Sequence, residues 1–525
     1  MKNFKLALLS SAISFALFSP NAHAAANQTK NQNVSTSKTE ALERRILELE
    51  SRLEKLDTVK NLQQPVVGTT VTQATPEIKK LANEVHLLER KMEVQEEVST
   101  GAAQKTPILE AGEGGFKISS ADKKNQVRIR GAVQVDNRTF ANGQTTPLGT
   151  TPDSFALKQG RVWLEGYMFK DVFFKIMPDF AAGGNILPDA YVDYAYHPSA
   201  SLLVGKFKSP LSLERLQGDS DGTFLERAFP TYLASNRDVG VQVHGGFNFT
   251  GHGAEKVAGP IDTKNQLTYQ FGVFNGSGDD GSPNNDAPDT NNNKEFAGRL
   301  FSHPFQHSGY SWVEGLGIGV AGSYSQTNGQ ALKNLATPIG RDTYLNYAKL
   351  ATGSTIAPVA NGDSYRFYPQ AYWYSGPFGA MAEYVVSSQD LSGKVTVNKK
   401  VIGKNINQKN TAWQVLGSYV LTGEDNSFGA IKPITPFSPL EGKWGAWQLA
   451  ARYSQLDVDS DTFVFVDPTK SASQARAWTI GANWYLNSNA LIRADYEEVS
   501  FEGGASNGGN RATEKVLGSR FQLSF

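Results

Sequence analysis

Cysteine is absent from this chain of 525 residues, which excludes disulfide bonds and thiolate metal sites. Beyond the N-terminal leader no run of about 18 consecutive apolar residues exists, so membrane-spanning helices are excluded too. The 51 basic and 51 acidic residues cancel, and no basic patch for nucleic acid is present. Hydrophobic residues make up 39% of the chain, which is low for a soluble protein of this length. Any preference for a charged partner must therefore come from local placement of charges.

Residues 1–24 have the features of a secretory signal peptide. Lys2 and Lys5 precede an apolar stretch from Leu6 to Phe18, and Ala22-His23-Ala24 offers a cleavage site with small residues. This stretch is too short to span a bilayer as a helix. The sequence therefore predicts an exported chain whose mature form begins near Ala25.

Residues 25–112 are polar and carry two apolar seams with helical spacing. The seams are Leu42, Ile46, Leu49, Leu53 and Leu56, and then Ile78, Leu81, Val85, Leu88 and Met92. Steps of three and four residues predict a coiled coil, which implies self-association. Each seam lasts only about three heptads, so a pair of amphipathic surface helices is the alternative. In an exported chain we expect this helical region and its linker to lie in the periplasm.

Residues 113–525 lose the helical period and alternate between apolar and polar positions. Val239, Val241 and Val243 oppose Gln242 and His244, and many segments repeat this pattern. The last strand sets Leu517, Phe521, Leu523 and Phe525 against Arg520 and Gln522. An apolar face against a polar face is typical of a wall between lipid and water. The pattern predicts an all-β transmembrane barrel of about 16 antiparallel strands enclosing an aqueous channel.

The two ends of the predicted strands have different connections. Polar stretches at 275–294, 331–363 and 457–475 are expected to be extracellular loops, because the periplasmic rim of such barrels uses short turns. The terminal Phe525 is typical of outer-membrane barrels and predicts contact with the barrel-assembly machinery. Aromatic residues such as Phe207 and Trp444 are expected at the lipid interfaces.

Several motifs together resemble the phosphate-selective porin O and P family of Gram-negative outer membranes. They include Gly205-Lys-Phe-Lys-Ser-Pro210, Asn236-Arg-Asp-Val-Gly240, Gly445-Ala-Trp-Gln-Leu-Ala-Ala-Arg-Tyr453 and Arg520-Phe-Gln-Leu-Ser-Phe525. The resemblance covers roughly residues 115–525. It implies a homotrimer of 16-stranded barrels in outer-membrane lipid, each with its third loop folded inward, and passive diffusion of small anions such as phosphate. The alternatives are a weakly selective general porin and a barrel whose helices tether it to the envelope.

Arginine and lysine on the polar faces are the candidate solute-binding residues. A phosphate ion entering a narrow passage loses water, and a guanidinium can replace that hydration with two parallel donors. The candidates are Arg128, Arg130, Arg161, Lys206, Lys208, Arg452, Arg493 and Arg520 on strands, and Arg215, Arg227 and Arg237 in or beside the inward loop. The alternative role for each is a structural ion pair, with Glu165, Asp193, Glu214, Glu226, Asp495 and Glu497 as available partners.

No motif for catalysis, cofactor binding or metal binding has the structural context that it needs. Gly317-Ile-Gly-Val-Ala-Gly322 matches a dinucleotide-binding pattern but continues into an alternating strand, not a helix. His303 and His307 have the spacing of helical metal ligands, but Pro304 spoils that geometry. The sequence therefore predicts no enzyme, no cofactor and no metal.

Overall fold

The computed structural model describes residues 106–525 apart from 142–144, 147–148, 151, 182–185, 250–252, 277–291, 349, 353 and 398–399, together with a few residues between 44 and 94. The chain divides into two compact units, Met1–Thr106 and Pro107–Phe525. The described residues between 44 and 94 are helical. The predicted signal peptide and the pairing of the two seams lie outside the described residues.

The second unit is built from β-strands joined by turns, loops and two short helices. The first strands are β1 (Ile108–Gly112), β2 (Gly115–Ser119), β3 (Gln126–Phe140), β4 (Thr145–Thr146), β5 (Gly149–Thr150), β6 (Ser154–Met168), β7 (Val172–Met177), β8 (Asp189–His197), β9 (Ala200–Lys208), β10 (Arg237–Phe247) and β11 (Leu267–Phe274). The later strands are β12 (Glu295–Ser302), β13 (Leu316–Ala331), β14 (Leu335–Ala336), β15 (Thr343–Leu345), β16 (Ser354–Ser375), β17 (Phe378–Val397), β18 (Lys400–Val420), β19 (Ala446–Asp457), β20 (Ala472–Tyr485), β21 (Ala490–Gly503) and β22 (Glu514–Ser524). The helices are α1 (Leu213–Leu216) and α2 (Ser311–Glu314), and 3-10 turns cover Phe229–Leu233, Pro439–Glu441 and Ser460–Val464.

Sixteen of these strands form a closed antiparallel barrel, as the alternation predicted. They are β3, β6 to β13 and β16 to β22, each paired with the next along the chain. The ring closes where β22 pairs with β3, with Arg520 opposite Asp136 and Leu523 opposite Val133. No helix among the described residues is long and apolar enough to cross a membrane.

The wall of the barrel separates an apolar outer face from a polar inner face. On β10, Val239, Val241 and Val243 keep 42–44% of their surface exposed, whereas Gln242 and His244 are buried inside. Strand geometry produces this separation because successive side chains point to opposite faces. The predicted assignment of β10 is confirmed.

Two connections fold into the barrel and fill much of its interior. The first is the constriction loop, residues 209–236, between β9 and β10. The second is the mouth segment, residues 332–353, between β13 and β16 and including β14 and β15. Ile339, Tyr344 and Leu345 of the mouth segment are fully buried, and Ile339 packs against Phe140 and Val516 of the wall.

The prediction of an extracellular loop over 331–363 is therefore wrong from Ser354 onward, and the part before it folds inward. Residues from Ser354 onward belong to β16, and the apolar side chains of the mouth segment leave water for the barrel interior. Strands β16, β17 and β18 have 22, 20 and 21 residues, about twice the length needed to cross a membrane. They extend well beyond the membrane at one end of the barrel.

A small hairpin, β1–β2, precedes the barrel and joins its wall. Strand β2 pairs with residues 126–129 of β3, and β22 pairs with residues 132–140 of β3. Both strands use the same edge of β3, one after the other, because β6 occupies the opposite edge. We call β1–β2 the terminal hairpin.

Candidate functional site

The constriction loop is held in shape by its own carboxylate and hydroxyl groups. The Ser212 hydroxyl accepts a hydrogen bond from the backbone N–H of Arg215 at 3.3 Å and caps α1. The Glu214 carboxylate accepts from the backbone N–H of Ala228 at 2.8 Å, which ties the two arms of the loop together. The loop is thus a folded unit, not an open chain.

Buried arginines of the far wall fasten this loop through its backbone. Arg493 on β21 donates to the carbonyl of Phe224 at 2.9 Å and to that of Gly222. Arg452 on β19 donates to the carbonyl of Glu226 at 2.9 Å and forms an ion pair with Glu214 at 3.2 Å. These contacts press the loop against the wall of β19 to β21 and leave space on the opposite side.

On that opposite side, cations of the wall and the loop converge on Asp219 at the tip of the loop. Arg161 and Arg227 pair with its carboxylate, and Arg237 and Lys208 approach it to 3.6 Å and 3.9 Å. Burial opposes ionisation of Asp219, but the charges of Arg227, Lys208, Arg161 and Arg237 outweigh it and hold the pKa of Asp219 well below its usual range.

Two neighbouring carboxylates complete this inner cluster. Asp179 pairs with Arg161 at 2.7 Å, and Asp189 pairs with Arg237 at 2.5 Å and with Lys175 at 3.3 Å. Five cations therefore share three carboxylates. The cluster carries an excess of positive charge.

A second, outer cluster surrounds Glu226 of the constriction loop. Its carboxylate lies 2.7 Å from Lys158, 3.0 Å from Arg138 and 2.6 Å from Arg341 of the mouth segment. Burial opposes ionisation of Glu226, yet the charges of Lys158 and Arg341 keep the pKa of Glu226 below its usual range. Arg520 lies nearby and donates to Asp136 at 2.6 Å and 2.8 Å.

Two cavities connect these clusters. The smaller one, of about 160 Å³, is lined by five cationic side chains (Lys158, Arg161, Arg227, Arg237 and Arg520) and three carboxylates (Glu214, Asp219 and Glu226). The larger one, of about 850 Å³, contains Arg128, Arg130 and Lys175 and is bordered by Phe525 and the turn at 487–490. Arg161, Gly218, Asp219 and Arg237 line both cavities, so they form the neck between them.

Seven of the eleven predicted residues lie along these cavities. Arg161, Lys208, Arg227 and Arg237 surround Asp219 of the neck. Arg520 lines the smaller cavity, and Arg128 and Arg130 line the larger one. Arg130 keeps 41% of its side chain exposed and pairs with Glu165 at 3.3 Å. Arg128 donates to the carbonyl of Gly114 at 2.7 Å.

Three predicted residues lie away from the cavities and bind the constriction loop instead. Arg452 and Arg493 are buried against the loop backbone, and Arg215 donates to the carbonyl of Thr231 within the loop. Arg452 forms a structural ion pair of the kind that the sequence had left open, whereas Arg215 and Arg493 donate to backbone carbonyls.

Lys206 is placed on the outer face of the wall, so its assignment to the interior is wrong. It stands in register with Val239, which is exposed on the outer face, and shares that face with Val204. Phe207 takes the inward position and packs against the ring of Phe274 at 5.3 Å, so it does not join a lipid-facing girdle. Lys208 turns inward at the strand end, where its Nζ donates to the carbonyl of Gln217 at 2.8 Å.

Sequence reasoning missed four cations of the two clusters. Arg138 follows the alternation of β3 by one more step beyond Asp136, so the pattern contained the signal for it. Lys158 was not predicted because a bulge shifts the register of β6 against Gln134 and Val135 of β3, and this shift interrupts the alternation at Lys158. Arg341 lies in the mouth segment, where no period exists, and Lys175 lies on the short β7. Among the described residues no group of three histidine, aspartate or glutamate side chains is placed to hold a metal ion.

The chain is similar to several known proteins. Porin O of Pseudomonas aeruginosa is 25% identical over 425 residues, which cover 76% of this chain and 88% of Porin O. Among solved structures, the outer-membrane channel DcaP of Acinetobacter baumannii aligns with 12% identity and a TM-score of 0.45, over 78% of this chain and all (100%) of that one. An anion-selective porin from Comamonas acidovorans aligns with 10% identity and a TM-score of 0.42, over 76% of this chain and 100% of that one. Residues 127–525 match the profile of the family described as phosphate-selective porin O and P, and the chain belongs to that family.

Proposed function

We propose that this outer-membrane porin passes small anions, phosphate among them, by passive diffusion through the two cavities and their neck. The observation that carries the proposal is the excess of cations over carboxylates at the neck and in the smaller cavity. Fixed positive charge in a narrow, partly dehydrated passage favours anions and repels cations. The porin family points to a channel, not to an enzyme.

The arrangement also limits how tightly an anion binds. Each cation at the neck already has a carboxylate neighbour, so an entering phosphate competes with Asp219 and Glu226 and does not meet bare charges. Conduction requires such divided, moderate binding, because an ion held too tightly does not leave. Most of the arginines are bound in this way, and this observation favours a weakly selective general porin as the second candidate.

Reversal potentials in a potassium chloride gradient across a planar bilayer test the proposal. We expect a clear anion preference and a fall in chloride current as phosphate is added. A cation preference would contradict the proposal. Anion preference without any effect of phosphate would favour the second candidate.

Arg130→Gln is the variant that tests the residues directly. Loss of one positive charge from the larger cavity should lower the anion-to-cation permeability ratio by about fivefold, which corresponds to roughly 1 kcal/mol at an exposed site. Arg476→Gln is the matched control, because Arg476 is also 41% exposed and paired with a glutamate, but lies at Glu502, away from both cavities. Equal permeability ratios for the two variants would remove Arg130 from the path.

We further propose that the protein works as a homotrimer with its helical N-terminal unit in the periplasm, and that Phe525 is read by the barrel-assembly machinery. Family membership and the apolar seams support the trimer, and the export signal supports the location. Removal of residues 25–106 tests the role of the helices. Unchanged conductance with loss of envelope attachment would assign them a tethering role.

A further inference from the structure

The terminal hairpin has one apolar face and one polar face. Leu109, Phe116 and Ile118 share the apolar face and keep 65%, 58% and 46% of their surface exposed. Lys117 and Glu110 share the other face and pair with each other at 3.2 Å. A hairpin in water would bury its apolar face or carry few apolar residues, so this pattern calls for an explanation.

The register of the strands shows where the apolar face points. Phe116 lies opposite Ile129 of β3, and Ile129 lies opposite Leu164 of β6. Ile129 and Leu164 are 39% and 37% exposed and belong to the outer face of the barrel wall. Paired residues of an antiparallel sheet share a face, so the apolar face of the hairpin continues the lipid-facing surface of the barrel.

The hairpin is also fixed to the barrel at its tip, so this orientation is not free to change. Asn489 in the turn between β20 and β21 donates to the carbonyl of Glu113 at 2.8 Å, and Arg128 donates to the carbonyl of Gly114 at 2.7 Å. Both tip residues line the larger cavity, which places the polar face toward the barrel interior.

We propose that the terminal hairpin is a lipid-contacting element that extends the barrel wall beyond the end of β22. The acyl-chain region of the membrane would cover its apolar face, because that face is continuous with the exposed apolar face of β3 and β6. This inference concerns a membrane-contact surface and does not depend on which solute passes.

Site-directed spin labelling tests the proposal, and the absence of cysteine makes each label unique. The full chain carrying Phe116→Cys or Ile118→Cys is labelled with a nitroxide and reconstituted into vesicles of phosphatidylethanolamine and phosphatidylglycerol. Lys117→Cys is the matched control on the opposite face of the same strand. Relaxation by molecular oxygen, which concentrates in lipid, is compared with relaxation by a water-soluble nickel chelate.

We expect the oxygen-to-nickel ratio to be several-fold higher at positions 116 and 118 than at position 117. Equal ratios at all three positions would place the hairpin in water and overturn the proposal. Protection of positions 116 and 118 from both reagents would also overturn it, because another protein surface, such as a second copy, would then cover the apolar face. Heat-modifiable migration of each variant on a gel verifies that its barrel is closed, and either outward position is sufficient for the test.

Discussion

Some arginines of this barrel bind backbone carbonyls of the constriction loop as well as carboxylates. Arg493 and Arg452 reach across the interior to carbonyls of the constriction loop, and Arg227 donates from within the loop to the carbonyls of Glu214 and Gln217. A guanidinium suits this task because its five donors lie in a rigid plane and it stays charged. The loop therefore shapes itself partly through Arg227, but it is fixed to the wall by donors that it does not itself supply.

Arg493→Met should loosen the constriction loop while leaving the barrel closed. The substitution leaves the carbonyls of Gly222 and Phe224 without their arginine donor, at a cost of roughly 1–3 kcal/mol for each group that stays buried. We expect larger single-channel conductance with frequent transitions between current levels. Arg476→Met, at an exposed arginine, should behave as the parent protein, and quiet parental currents from Arg493→Met would refute the anchoring role.

The division of arginines into lining and anchoring residues was beyond sequence reasoning. Alternation assigns both Arg161 and Arg493 to the interior, where Arg161 lines the smaller cavity and Arg493 donates to the loop backbone. Which of them meets solute depends on where the constriction loop lies inside the barrel, and no period in residues 209–236 encodes that position. The prediction for Lys206 was wrong for a related reason. Alternation assigned both Lys206 and Lys208 to the interior, but Lys208 reaches the interior only because it turns inward at the strand end.

At the level of elements, the constriction loop brings negative charge into a positive region. Asp219 lies among Arg161, Lys208, Arg227 and Arg237, and it moderates their combined field at the neck. The mouth segment adds Arg341 from the other side, where it meets Glu226 of the same loop. Both carboxylates that tune the passage thus belong to one element.

Asp219→Asn should raise the anion preference and lower the phosphate concentration needed for block, because four cations lose their shared carboxylate. Since the pKa of Asp219 lies well below its ordinary value of 3.8, the wild-type carboxylate stays charged as the pH falls, and its effect is lost only far below that value. The difference between variant and wild type should therefore be the same at pH 8 and pH 5. Reversal potentials at both values measure it.

Convergence of the two proteins toward pH 5 would contradict the low pKa of Asp219. Asp467→Asn is the control, because Asp467 pairs with Lys470 in the connection between β19 and β20 and lines neither cavity. That variant should leave the reversal potential unchanged at both pH values.

Elements with a strict period were predictable, and elements without one were not. The strands follow from alternation, which encodes a two-sided wall, and the closed barrel is confirmed. The mouth segment was predicted to be part of an extracellular loop. Its inward fold was missed because Leu335, Ile339, Tyr344 and Leu345 show no regular spacing, although their apolar character was visible. The bulge at Lys158 likewise leaves no mark in composition.

At the scale of the whole molecule, closure of the barrel depends on the pairing between its first strand, β3, and its last strand, β22. The backbone of Phe525 exchanges hydrogen bonds with Gly131 at 2.8 Å and 2.9 Å. The Phe525 ring lies over Gly131 so closely that an added Cβ would come within 2.5 Å of it. Glycine at this position lets the terminal aromatic ring settle against the strand.

Gly131→Val should therefore weaken closure, because the Phe525 ring must leave its place. We expect a lower temperature for the loss of the compact form on heat-modifiable gels, by a few degrees for about 1–3 kcal/mol of overpacking. Gly417→Val is the matched control, because Gly417 also lies in a strand and no atom lies within 4 Å of an added Cβ there. The same temperature for both variants would exclude a role for this contact in closure.

The backbone anchoring of the constriction loop has a consequence for divergence among related channels. Every residue has a backbone carbonyl. Arg452 and Arg493 of the wall would therefore bind this loop equally well if its side chains were exchanged. Evolution can then retune preference for one solute over another by point changes at the tip, without rebuilding the scaffold that positions it.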